Sequence, residues 1–345
     1  MALTSRQMAH VVLVTVIGGA ALWFVFRDVE LHGVGQALAL VPAWAVGIHL
    51  LLGIAQVVLR TLRWMLQVEG LSGRRPSLRE GLAVSVVSFA AVFLLPFRLG
   101  EFVRPQLAAQ RGYSTRSAGL AHSALERVVD GLVTTALFGV VLLLLRDRGL
   151  PVELWLAGFV ALAVFGGAIV SLLVAARYRE ASERFWFYVI GKAHGGLAIR
   201  CVGLLGAFLE GIRCFRSRTA WLTYLAYSVC FWLLNGLGMW VLLVCMAPEA
   251  GLLVAYFALC FVVLGVMLPA PPGNVGNYHA FMKLGLTTLG VTETTAAAYA
   301  VLNHGLSVAS LVVLALGFLL SGDVSWRGVR DATLEAEAEP SSGGR

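Results

Sequence analysis

The sequence predicts an all-α polytopic membrane protein, with about six full transmembrane helices plus two broken re-entrant segments in two inverted-topology repeats. Three observations lead there. First, 59% of the 345 residues are hydrophobic and only 13% are charged, against about 25% charged in a soluble domain. Second, apolar runs recur at a length of about 20 residues, enough to cross roughly 30 Å of hydrocarbon. Third, two of these runs end at matching proline- and glycine-rich breaks, LLPFRLGE and MLPAPPGN. The composition excludes a soluble globular enzyme, a disordered chain and a nucleic-acid-binding domain; the net charge of +7 belongs to basic loops that face anionic lipid.

Taken in order, the first apolar run covers about 8–26 and ends in WFVF before Arg27, which reads as a retained helix rather than a cleaved signal. Full spans follow at about 43–66, 118–145, 153–176, 219–247 and 294–320. The runs 80–95 and 251–269 stop where proline and glycine break the helix. Each break leads through a short amphipathic stretch into a long helix, so 78–145 and 250–320 read as two copies of one plan. Leu95-Pro96 precedes Gly100 as Leu268-Pro269 precedes Gly273, and Glu126 falls opposite His304. The membrane domain is 1–322, interrupted by a cytoplasmic amphipathic connector at 177–218 that carries Leu204, Leu205, Phe208 and Leu209 among basic residues. Residues 323–345 read as a disordered tail.

Arginine placement sets the expected topology. The segments 60–79, 98–116 and 177–218 are arginine-rich, whereas 27–42 is not. All three basic segments fall in the cytoplasm only if 80–112 dips into the membrane and returns to its own side. The same reasoning makes 247–290 dip from outside and places both termini in the cytoplasm, in a bacterial inner membrane. Inverted repeats with broken helices are a transporter plan, with the substrate site near the midplane.

Charges that this topology does not explain are the candidate site. Glu126, Arg127 and Asp130 sit in an apolar helix, where each charge costs about 2.5–3.5 kcal/mol on insertion scales. Spacings of three and four let Arg127 or Glu126 meet Asp130 locally. Arg98, Glu101 and Arg104 follow the first break, with Glu101 spaced to pair with Arg104, and such a cluster can receive an anionic headgroup. Arg60 and Arg63 near the end of the second helix are explained by snorkelling to lipid phosphates. The second break offers Pro272, Gly273, Asn274, Gly276, Asn277, Tyr278 and His279, with His304 beyond it. The five cysteines read as buried free thiols. No metal-binding spacing, Walker loop or nucleophile elbow is present in the sequence, so no catalytic residue, metal or cofactor is expected and transport is not ATP-driven by the chain itself.

The stretch LPFRLGEFVRPQLAAQRGYSTRSAGLAHSALERVVDGL resembles the first signature of the lysylphosphatidylglycerol synthase transmembrane-region (flippase-like) family. LPAPPGNVGNYHAFMKLGLTTLGVTETTAAAYAVLNHG is similar to its second, and Arg60, Arg63 and Trp64 suit its arginine-rich second helix. The resemblance implies movement of lipid between leaflets. It does not imply synthase activity, because a soluble aminoacyl-transferase domain does not follow the last helix; a departure is Tyr278-His279, where some members carry an acidic residue. The expected function is translocation of a phospholipid or lipid-linked substrate, with membrane lipids as partners. Arg98, Arg104 and Arg127 would bind a phosphate; Glu101, Glu126 and Asp130 would hold those arginines or engage a cationic headgroup. The alternative is a non-catalytic membrane subunit of a lipid or glycolipid synthesis enzyme. A second copy of the chain or such an enzyme is the expected protein partner, and nucleic acid is not.

Overall fold

The structure is a computed structural model that describes residue 16 and residues 18–27, 29–95, 99–178, 180–181, 184, 188, 215, 217–267 and 271–331. These residues form helices and turns without a strand among them. After helical residues 18–26 come α1 (Leu31–Ala39), α2 (Ala43–Ser72), α3 (Leu78–Leu94), α4 (Gly100–Gln110) and α5 (Arg116–Leu144). Then follow α6 (Val152–Arg177), α7 (Arg218–Met246), α8 (Leu252–Met267), α9 (Asn277–Thr288) and α10 (Glu293–Leu320). The protein is an all-α polytopic membrane protein. Four helices, α2, α5, α7 and α10, have 28–30 residues and are apolar enough to cross a membrane. At 1.5 Å per residue each reaches about 42–45 Å, the bilayer with its headgroup layers. Shorter apolar stretches occupy Val152–Gly167 and Leu252–Val266.

Local chemistry sets the ends. Ser77 caps α3 in a reciprocal box with Glu80, while Thr115, Ser217 and Thr292 accept from backbone N–H groups in the first turns of α5, α7 and α10. Gly73, left-handed at φ 70°, closes α2. Leu95, extended before Pro96, ends α3.

Both broken segments are helical hairpins. A Cβ on Gly100 would lie 2.2 Å from the Val92 backbone nitrogen, so α4 folds directly onto α3 at the break. Arg74 reaches the Gly112 turn, so the chain enters and leaves this hairpin at one end of the bundle. In the second hairpin Gly265 meets Phe281 and Gly285 meets Ala258, which sets α8 and α9 antiparallel. Each hairpin lies against the helix that follows it and also against the long helix that follows the other hairpin: α3 packs on α10, and α8 on α5. The core shared by α3 and α10 includes Val84, Val87, Leu311 and Ala315. The antiparallel pair α2–α7 completes the bundle, pinned by His49 to the Gly238 carbonyl at 3.0 Å.

The arginine-rich segments gather at one end. Arg79 forks onto Asp323, and Arg111 donates to the Asp323 carbonyl. At the other end Ala37, Leu145, Met246, Ala250 and Val291 share one apolar core. Asp323 also corrects the expected tail: residues 326–331 are helical, and Val324 is 1% exposed because it packs with Leu107 and Leu311. Residues 332–345, the first half of the 8–26 run and residues 189–214 of the connector lie outside the described residues. Of the thiols described, Cys260 is buried, Cys245 half-buried and Cys230 exposed. Burial was expected of all of them; Cys230 sits on an α7 face that no other described helix covers.

Candidate functional site

The charges on α5 find partners on other helices. Arg63 of α2 grips both carboxylate oxygens of Asp130, the second at 3.1 Å, and donates to the Ser228 hydroxyl of α7 at 3.1 Å. The Trp232 indole N–H donates to the same Asp130 carboxylate at 3.2 Å. Glu126 accepts from Arg104 of α4 at 2.8 Å and lies 3.6 Å from Arg63. Arg127 donates to Glu101 at 3.3 Å toward the exposed edge. Arg104 therefore turns to Glu126 and Ser123 rather than to Glu101, and Asp130 to α2 rather than to Arg127. Two-pronged arginine–carboxylate pairs are geometrically specific, and in a medium without water their attraction offsets the cost of removing both ions from solvent.

The snorkelling reading of α2 is overturned. The Arg63 side chain is 1% exposed, because α5 and α7 close over it and two carboxylates meet it inside. Arg60, one turn earlier, points into the bundle as well. Its guanidinium lies 3.9 Å above the Phe89 ring and 5.3 Å from Phe231, a cation–π seat. Arg60 has no carboxylate partner among the described residues. The cluster thus holds four described arginines (60, 63, 104 and 127) against three carboxylates (101, 126 and 130), and Arg60 is the surplus cation. Arg98 lies outside the described residues.

The second break is built from backbone that only certain residues adopt. Gly273 and Gly276 take φ 73° and 93°, and Asn274 follows at φ 55°, left-handed values that glycine and asparagine tolerate best. Asn277 ties the turn to the Gly265 carbonyl at 3.4 Å. Tyr278 stacks on His304 at 4.4 Å, and its hydroxyl accepts from Asn303. His279 and His304 approach to 3.5 Å between ring nitrogens. Glu126 meets Arg104 of α4 and His304 meets His279 of α9, so each faces the short helix of the hairpin before it.

Between the two breaks lies a cavity of about 540 Å³. Arg60 lines it from α2, Glu101 from α4, Arg127 and Asp130 from α5, Asn274 from the second break, and Tyr278 and His304 from α9 and α10. Smaller cavities of about 160 and 180 Å³ adjoin it, and Arg60 borders all three. Pro272 and Gly273 line the smaller cavity beside Arg104 and Glu126.

Residues 11–317 match the family described as the lysylphosphatidylglycerol synthase TM region. The chain belongs to this family. The match contains both breaks and every residue of the cluster. A curated relative, Glycosyltransferase AglD of Haloferax volcanii, is 26% identical over 266 residues. That likeness covers 69% of this chain and 43% of the relative, so the chain spans less than half the relative's length. No solved structure matches.

Sequence reasoning about this family member missed the contribution of α7. Ser228, Trp232 and Asn235 reach the cluster or cavity at spacings of four and three, one helix face. Lone polar residues in an apolar helix were the available signal, and Asn235 and Asn303 both fit it.

Proposed function

We propose that the protein is a flippase-like translocase for a phospholipid or lipid-linked substrate, whose phosphate docks at Arg60. The observation that carries this reading is the surplus guanidinium bordering a cavity of about 540 Å³ inside a bundle of membrane-length helices. Inside the bundle, a half-buried cation with no carboxylate partner among the described residues is costly, and a phosphate arriving from a leaflet would neutralise it. Arg63 and Arg104, already committed to Asp130 and Glu126, brace the wall. Arg127 and Glu101, at the exposed edge, meet the headgroup as it enters. The two copies run with inverted topology, and alternate exposure of the cavity follows from one hairpin rocking against the other. The arginine-rich end faces the cytoplasm of a bacterial plasma membrane. Movement is downhill or coupled to an ion gradient.

The test is leaflet exchange in reconstituted vesicles, read by quenching of a fluorescent phosphatidylglycerol. Wild type should exchange the probe, Arg60→Gln should lose about tenfold or more of the rate, and Arg127→Ala should lose less. Equal rates for wild type, Arg60→Gln and empty vesicles would sink the reading. A second reading is favoured by the glycosyltransferase relative, which is more than twice as long as the shared region: the bundle presents a lipid-linked substrate to a synthesis enzyme as its membrane partner. Substrate turnover by a co-purified transferase without leaflet exchange would select it.

A further inference from the structure

We propose that the cavity selects a lipid with a singly charged phosphate and an uncharged polyol headgroup, and rejects a headgroup bearing a cationic amine. The inference rests on the headgroup site proposed above and names the class of lipid it takes.

The charge balance argues first. An ammonium beside the Arg60 guanidinium calls for a free carboxylate to offset the repulsion, and the described carboxylates of the cluster are engaged by arginine: Asp130 by Arg63, Glu126 by Arg104 and Arg63, Glu101 by Arg127. Asp130 also accepts from the Trp232 indole. An ammonium entering here would have to displace a guanidinium from a forked pair while standing near Arg60. Among the described residues of the cluster, the one charge left over is positive, which asks for one negative charge in the ligand. A phosphodiester supplies it.

The neutral lining argues second. Asn235 and Asn274 line the cavity, and among the described residues their side chains make no hydrogen bond. A carboxamide offers two N–H donors and an acceptor, the pairing set of vicinal hydroxyls rather than of an ammonium. They stand on α7 and at the second break, with Arg60 on α2. A phosphate at Arg60 would place its headgroup between these two amides. Phe231, Trp232 and Tyr278 supply flat apolar faces for the C–H surface of a polyol. The volume of about 540 Å³ lies within the range of small-molecule sites.

The experiment measures binding with the full-length chain in detergent, by thermal shift and native mass spectrometry. The probes are dihexanoyl phosphatidylglycerol, its lysyl ester, dihexanoyl phosphatidylcholine and free glycerol 3-phosphate. The phosphatidylglycerol should bind about tenfold or more tightly than the other three. Arg60→Gln should reduce it to the level of the phosphatidylcholine. Asn235→Asp, which adds an uncommitted carboxylate, should move the preference toward the lysyl ester, and it keeps the inference testable if Arg60→Gln fails to fold. A lysyl ester bound as tightly as its parent, an unchanged preference in Asn235→Asp, or glycerol 3-phosphate bound equally well would overturn the inference. The two proposals fail separately: this binding order without leaflet exchange removes only translocation, and leaflet exchange with the order reversed removes only the headgroup assignment.

Discussion

Arg63 and Asp130 are 67 positions apart and share a two-pronged contact in the interior. Removing Asp130 leaves Arg63 with only the Glu126 carboxylate, 3.6 Å away and already held by Arg104. Asp130→Ala should therefore destabilise the protein by about 3–5 kcal/mol, whereas a paired replacement by apolar residues, Arg63→Met with Asp130→Leu, should recover most of that loss. Thermal unfolding of the three proteins in one detergent checks this, and equal losses for the single and double variants would contradict it. The sequence already marks Glu126, Arg127 and Asp130 as charges too costly to leave alone. It misassigns their partners because spacing within one helix shows only neighbours three and four residues away. Arg63, Arg104 and Ser228 arrive by tertiary packing, which no local period encodes. Arg60 looked like a snorkelling residue for the same reason: its place near a helix end is local information, and the closure of α7 over it is not.

At the scale of elements, the breaks were the most legible feature, because proline and glycine act on the backbone wherever they stand. The order of helix, break, short helix and long helix reads directly from them, and the structure places both hairpins there. What the sequence concealed is how tightly each hairpin closes. Gly100 has no room for a side chain, since its Cβ would meet the Val92 and Ala91 backbone at 2.2–2.4 Å. Gly100→Ala should lower stability by about 1–3 kcal/mol through overpacking. Gly139→Ala, in the C-terminal part of α5 with open space around it, should be neutral or stabilising by up to about 1 kcal/mol through helix propensity. Unfolding midpoints of the two variants against wild type decide the point; a larger loss at Gly139 would refute the close hairpin.

For the whole molecule, the end that collects Arg74, Arg79, Arg111 and Arg218 is opposite the end that joins Ala37, Leu145 and Met246. In a variant lacking the five native cysteines, Arg74→Cys and Ser117→Cys should react with an impermeant thiol reagent from one side of the membrane. Glu249→Cys should react from the other. Labelling of 74 and 117 from opposite faces would break the hairpin geometry. The gathering of Arg74, Arg79, Arg111 and Arg218 toward one end was legible from where arginines stand in the sequence. The turn and short helix after Asp323 were not, because the burial of Val324 and Gly328 depends on a core that includes Leu107 and Leu311, distant in sequence. The cross-packing of hairpins on long helices carries a consequence for biosynthesis. The surface of α3 that Leu311 and Ala315 cover is made more than two hundred residues before its cover. A ribosome must release nearly the entire chain before the first hairpin can close its core. Until then that hairpin has to be sheltered by the insertion machinery or by lipid, and a chain cut short before α10 leaves both hairpins without a packing partner rather than one.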